Sequence, residues 1–498
     1  MNVLYCVSEL TDWIDVAKYF NDNKNWKPIC WITTKRNQNY CKKIFPDLKQ
    51  LDFFDINRGI IENIEINNSI IIDYKIISQY SKYEKIALKM MDRMDPLSYS
   101  FNYTQRIHLY HKLLQFLLNY LNNTKTDLII FNESPHSIFT YLAYCIAKEN
   151  NIKILRLSPT HINANTFLTS SLESNEQYIQ DIYKSDLEIS KEVVEYIDTI
   201  NGKYDSATPY YMGSIIQSSK QSNTTKIIKS ILKATEYFFR RKPRLTYHKN
   251  KPLSSIREHF TNKEFSKTII ASTLYKIKLQ KKYNQYVNKT KALFNMEDNF
   301  IYFPLQYQPE KSTSPEGDIF ADQYLAINML SKLSKGRFKI YIKEHISQFA
   351  PKLHGEQGRN IDFYQELSYL DHIVFVDTSI NSFSLIDKAI AVSTITGTAG
   401  MESIIRGKPS IIFGYPWYKD AHGVFQISNH DQLDVALDSI LNNYTIDLDK
   451  VKKFLNMIFY ISNKIYLNNS NKNSIQDPKH SNSKEIINLI EKYENKIS

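Results

Sequence analysis

The side chains of this sequence best suited to moving a proton stand together in Asn132-Glu133-Ser134-Pro135-His136. A carboxylate and an imidazole three residues apart follow the apolar run Asp127 to Phe131 directly, so a strand should end where they begin. Such a pair can take the proton of a hydroxyl, and the carboxylate alone can act as a nucleophile. Glu133 is the first candidate for either task, with His136 orienting it or serving as the base in its place. In the alternative reading Asn132 or Ser134 caps the following helix, and Glu133 is only a first-turn carboxylate facing the helix dipole. His161, in Ser158-Pro159-Thr160-His161 after the run Ile152 to Leu157, is a further candidate for a substrate contact.

A second group of residues is suited to holding an anion. An apolar run ends in Ser393 and Thr394, and Thr396, Gly397, Thr398, Ala399 and Gly400 turn it into a short helix, Ala399 to Arg406, stopped by Gly407. The first backbone N–H groups of a helix opening in such a turn are free to bind negative charge. The alternative is an ordinary strand–helix crossover whose glycines serve the turn alone. Lys343, Glu344 and His345 close another apolar run, Phe338 to Ile342, and a polar loop with Gln306, Tyr307, Gln308, Lys311 and Ser312 follows the strand-like Asn299 to Pro304. Charged groups at the carboxyl ends of parallel strands lie where open α/β sheets bind ligands, so three strand ends should converge on one crevice.

The elements that must position these residues alternate. Asn2 to Val7, Pro28 to Thr33, Asp127 to Phe131 and Ile152 to Leu157 read as strands between helices Asp12 to Phe20, Phe101 to Asn122 and Ser137 to Asn150, a βαβ series that predicts a parallel sheet. A second such series begins at residue 299. The expected organisation is an N-terminal Rossmann-like unit over 1–167, a helical basic insertion over 168–298, a second Rossmann-like unit over 299–447, and a crossover helix with a flexible tail over 448–498.

The net charge of +11 is unevenly placed. Residues 226–291 hold 18 Lys/Arg and 3 Asp/Glu, a net of +15, so the remainder is slightly acidic. Aromatic and aliphatic residues interleave with those charges, which predicts a basic amphipathic arm for anionic phospholipid at the inner face of a membrane, or for acidic polysaccharide. No nucleic-acid module accompanies it, so nucleic acid is not an expected partner. The N-terminus lacks a basic region followed by an apolar one, and no stretch is long and apolar enough to span a bilayer, which predicts a cytoplasmic chain. The four cysteines have no ligand-like spacing and read as buried thiols; no His/Cys cluster or Asp-x-Asp strand end suggests a metal, so none is expected.

YFPLQYQPEKSTSP, the IKEH strand end and TGTAGMESIIRGKPSIIFGYPWY resemble the C-terminal half of bacterial capsule polysaccharide synthesis proteins, a group that includes Kdo transferases. A strand-end His paired with a Ser/Thr-rich turn is more distantly similar to bacterial sialyltransferases. The resemblance covers about Phe300 to Phe425 and departs where Ile346 stands in place of the proline that usually follows the His. It implies a GT-B fold, two Rossmann-like domains facing a cleft, and transfer of a CMP-activated acidic sugar to a glycan or glycolipid. It further implies that Lys343, Glu344 and His345 lie at the nucleotide phosphate. Ser393, Thr394, Thr396, Gly397, Thr398, Ala399 and Gly400 would hold the same phosphate or the ribose, and Glu402 the ribose or base. Gln306, Tyr307, Gln308, Lys311 and Ser312 would contact sugar or phosphate, and Trp417 and Tyr418 would stack on a ring unless they pack in the core. A CDP-polyol phosphotransferase of the teichoic-acid type and a non-catalytic capsule assembly or export factor are the competing expectations.

Overall fold

The computed structural model describes residues 1–7, 10–61, 69–95, 101–173, 177–184, 187–202, 210–219, 221–239, 262–310, 312–351, 353–467, 475 and 480–497. Two sheets organise it. The N-terminal sheet contains β1 (Asn2–Cys6), β2 (Lys27–Thr33), β3 (Lys49–Asp52), β4 (Leu128–Phe131), β5 (Lys153–Pro159) and β6 (Asn165–Thr169), in the order β6-β5-β4-β1-β2-β3. All pairings are parallel except that of β5 with β6. The C-terminal sheet contains β7 (Phe300–Pro304), β8 (Lys339–Lys343), β9 (Ile373–Val376), β10 (Ala391–Thr394), β11 (Ser410–Ile412) and β12 (Val424–Gln426), in the order β12-β11-β10-β7-β8-β9, parallel throughout.

Both orders reverse beside their first strand, between β1 and β4 and between β7 and β10. This is the doubly wound Rossmann order, and its reversal opens a crevice at the carboxyl ends of the two strands concerned. The central strands are apolar on both faces because helices cover both: every residue of LIIF in β4 is buried, as are Phe300, Ile301, Tyr302 and Phe303 of β7. The expected α/β class with two Rossmann-like units is the one observed.

The C-terminal stretch returns to the first half. The helix Leu448–Ile461 packs Phe454, Leu455 and Ile458 with residues of β7, β10 and β11. Then β13 (Asn463–Lys464) pairs antiparallel with β6, and the helix Asn482–Ile497 lies on Asp12–Lys24, where the Tyr19 hydroxyl donates to Glu491 at 2.6 Å. Most of the intervening polar run falls outside the described residues.

The basic segment is not simply an arm. Its helices Asn223–Phe238 and Asn262–Thr290 form a hairpin, and the second is rooted in the C-terminal core through Leu279, Tyr283, Tyr286 and Val287. The buried Tyr283 hydroxyl donates to the carbonyl of Val376 at 2.5 Å and accepts from the Glu344 amide at 3.0 Å, tying this helix to the ends of β8 and β9. Among the described residues no helix is long and apolar enough to cross a membrane. All four cysteines are buried and unpaired.

Candidate functional site

The strand β4 delivers Asn132 to His136 to the N-terminal crevice, where the Asn132 amide donates to the carbonyl of Cys6 at the end of β1, 3.3 Å away. The helix after it, Ile138–Glu149, is capped by Ser137 and Thr140, each hydroxyl accepting the other residue's amide. Neither Asn132 nor Ser134 is the cap, so Glu133 and His136 lie in the loop ahead of the helix. His136 Nδ1 is 3.0 Å from the Ser134 carbonyl and 3.7 Å from Glu133 Oε1. A carbonyl only accepts, so Nδ1 carries the proton in this arrangement. The two side chains remain 25% and 34% exposed, open to a substrate.

Three residues that local sequence patterns do not mark complete this edge. Arg93 donates to the His136 carbonyl at 2.7 Å and to the Ser314 carbonyl at 3.3 Å, bridging the two halves. Burial lowers its pKa, and the charges of Glu310 and Glu133 oppose that. Beside it the Ser134 hydroxyl donates to Glu316 and accepts from the buried Arg156 at 3.0 Å. Arg93 sits in the turn Met91–Met94, and an arginine among methionines, with Asp92 and Asp95 beside it, is the only signal the sequence carries for it.

At the C-terminal edge, the Tyr307 ring lies 6.4 Å from that of His345, and its hydroxyl accepts from the His354 amide at 3.0 Å. Tyr307 therefore stands beside His345 at this edge, while Arg93 holds the Ser314 carbonyl of the same half. His345 caps the turn Ile346–Phe349, its Nδ1 accepting from the Ser347 amide at 3.2 Å. Burial, reinforced by Lys343 and Arg359, brings its pKa down to about 4, so the ring is neutral near pH 7 with its proton on Nε2. Lys343, lowered to about 8 by burial, donates to the Ile380 carbonyl at 2.5 Å and to Ser382 Oγ at 2.9 Å. Its ammonium has three protons, which leaves one for a ligand.

Several expected contacts are spent inside the protein. Glu344 is fully buried, its carboxylate held by Arg359 at 3.1 Å and 3.2 Å and by Tyr364 at 2.6 Å; it anchors the loop and is not turned to a ligand. Ser393 and Thr394 are sealed within β10, and Thr394 Oγ1 accepts from the Gly397 amide at 3.1 Å. Gln306 forms a two-way pair with Thr396, donating to its hydroxyl at 3.0 Å and accepting from its amide at 2.9 Å, while the Thr396 hydroxyl donates to the Ser312 carbonyl. Gln308 is buried with its amide on the Ala321 carbonyl. The Tyr418 hydroxyl holds the Gly397 carbonyl, and Trp417 stacks on Phe454 at 6.4 Å, so neither ring is offered for stacking. Packing decided these fates: the groups are bonded or packed within the protein, and the Ser393 hydroxyl is buried without a hydrogen-bond partner.

What faces outward in the turn is Thr398, whose hydroxyl donates to Glu402 at 3.0 Å; burial raises the Glu402 carboxyl above its ordinary range. Gly397 and Gly400 serve close approach: a Cβ on Gly397 would stand 2.8 Å from Thr394 Oγ1, and one on Gly400 2.7 Å from Ser410 Oγ. Ala399 begins the helix Ala399–Ile405. Ser312 donates to Glu310 at 2.9 Å, and Lys311 lies outside the described residues. His161 is exposed in the turn between β5 and β6 with φ 61°, away from the Glu133 loop in the chain.

Residues 197–433 match the model of a family described as capsule polysaccharide biosynthesis protein. That segment, just under half of the chain, is similar to the capsule polysaccharide biosynthesis family. It takes in the hairpin, the whole of β7 to β12, and the His345 and Thr396 loops. No curated protein matches the chain. Among solved structures, a UDP-GlcNAc 2-epimerase from Methanocaldococcus jannaschii is 9% identical over 92% of this chain and 100% of its own, with a TM-score of 0.25. KpsC of Thermosulfurimonas dismutans, a beta Kdo 2,7 transferase, is 13% identical over 76% of this chain and 89% of its own, with a TM-score of 0.27. Likeness at these scores carries no argument for an activity.

Proposed function

We propose that the protein is a glycosyltransferase of capsule or related surface polysaccharide synthesis, moving an acidic sugar from a CMP-sugar to a glycan or glycolipid. The observation that carries this reading is Arg93, which donates to the His136 carbonyl beside Glu133 and to the Ser314 carbonyl of the other half, whose strand end β8 carries Lys343 and His345. In the reaction the acceptor oxygen bonds to the anomeric carbon while the bond to the phosphate oxygen breaks, its electron pair leaving with CMP. The Glu133–His136 pair takes the acceptor proton. His345 Nε2–H and the third proton of Lys343 stabilise the charge that grows on the departing phosphate, the kind of fixed donor that needs no reorganisation. Arg93 is the cation placed to meet the carboxylate of an acidic sugar. Thr398 and Glu402 are assigned to the ribose.

These cations are proposed to suffice without a divalent metal, so activity should persist in EDTA; loss on chelation with recovery on adding Mn²⁺ or Mg²⁺ overturns that point. The primary test is a thermal-shift titration with CMP, CDP, UDP and GDP, beside His345→Ala. A rise with CMP that the variant loses supports the reading. A rise with CDP alone, with turnover of CDP-glycerol, would make the protein a polyol phosphotransferase, and no rise with any nucleotide would make it an assembly factor.

A further inference from the structure

The hairpin of helices 223–238 and 262–290 carries a feature the transfer reaction does not use. Helix 223–238 rests on its partner with Lys226, Ser230 and Ala234, all buried, and the Ser266 hydroxyl donates to the Ala234 carbonyl at 2.8 Å. A helix of a soluble protein normally turns its apolar side to such a partner. Here the apolar side points away: Ile228, Ile231 and Leu232 are 52%, 46% and 65% exposed, and Phe239, just past the helix end, is 73% exposed. Their spacing, i, i+3, i+4 and i+11, is that of one stripe along a helix face.

The charges around the stripe name its occupant. Lys229 and Lys233 flank it and are exposed; on the partner helix Lys267, Lys278 and Lys281 are exposed at i, i+11 and i+14, again one face. Glu236 is the only acidic residue of helix 223–238. Lysine is depleted from protein–protein interface cores, whereas an apolar stripe edged by lysines matches an anionic lipid surface, acyl boundary below and headgroups beside it. The hairpin is also fixed to the rim of the candidate site. Lys276 donates to the carbonyls of Pro351 and Leu353 at 3.1 Å and 2.8 Å, and the Tyr275 hydroxyl to that of Arg359 at 3.2 Å.

We infer that helix 223–238 lies flat in the interface of an anionic phospholipid membrane, with Ile228, Ile231, Leu232 and Phe239 inserted and the lysines at the headgroups. The loops after β8 are thereby held beside the membrane, where a lipid-linked acceptor would be met. Binding to lipid does not depend on the transfer reaction, so the two fail separately.

The test is co-sedimentation of the full chain with vesicles of phosphatidylcholine, alone or mixed with phosphatidylglycerol. The wild type should bind the mixed vesicles, less so at high salt, and the triple variant I231S/L232S/F239S should partition at least about tenfold less. The variant should keep the wild-type melting temperature and its nucleotide shift, because the three positions are exposed and far along the hairpin from the crevice residues. Equal partitioning of both proteins overturns the inference, as does absence of binding to the mixed vesicles. Self-association by light scattering without lipid, lost in the triple variant, overturns it too, by making a second copy the occupant.

Discussion

The two crevice edges are built differently. At the end of β4, Glu133 and His136 touch each other at 3.7 Å and stay partly open to solvent. At the ends of β7, β8 and β10 almost every polar group is already bonded: Gln306 to Thr396, Glu344 to Arg359 and Tyr364, Thr394 to Gly397, Tyr418 to the Gly397 carbonyl. On the proposed reading the contrast separates two tasks. Groups that exchange a proton must stay accessible, while groups that shape a phosphate site work best when their positions are fixed beforehand.

The contrast can be broken most sharply at its open edge. Glu133→Gln and His136→Asn should each lower turnover by about 100- to 10,000-fold while leaving the CMP-induced thermal shift intact. A loss of nucleotide binding instead would assign the pair to the donor. At the locked edge, Glu344→Gln leaves the buried Arg359 charge without its partner, and chemical denaturation should show a loss of about 3–5 kcal/mol. An unchanged midpoint would mean that the carboxylate is not the anchor it looks. Gly400→Ala drives a methyl group against the Tyr418 hydroxyl and Ser410 Oγ, and should cost about 1–3 kcal/mol in the same measurement.

The smallest expected effect is in pH. With Lys343 held to about 8, the group is an ammonium below that value and a neutral amine above it, so CMP affinity should fall as pH rises through 8. A bound phosphate favours the ammonium and moves the fall upward, never downward. Lys343→Met should bind more weakly and lose this dependence between pH 7 and 9; titration calorimetry at several pH values checks it. His345, neutral down to about 4, should add no inflection in that range.

Much of the fold was legible because its central strands are continuous apolar runs with helices between them: β1, β2, β4, β5, β7, β8 and β10 all fall where such runs predict them. The edge strands escaped. In β3, KQLD has no apolar pattern, and VFQ of β12 is three residues long. The strand β6 straddles the boundary expected at 167/168, because its antiparallel pairing with β5 needs only a tight turn, Thr160 to Ala164, which carries no glycine signal. The basic segment read as an arm, yet Leu279, Tyr283, Tyr286 and Val287 root its second helix in the core.

For the candidate site, the sequence by itself determined which candidate residues stand at the carboxyl ends of strands. Those residues are local to their strands, and parallel topology sends every carboxyl end of a sheet to the same side. Only the tertiary structure decided which of them keep a free face. Glu344 and His345 are neighbours just past the end of β8, but the Glu344 carboxylate meets Arg359 and Tyr364 while His345 caps the turn that follows. Arg93 stands at the crevice because the turn Met91–Met94 is folded against a loop more than two hundred residues away, and a contact of that span leaves no trace in local pattern.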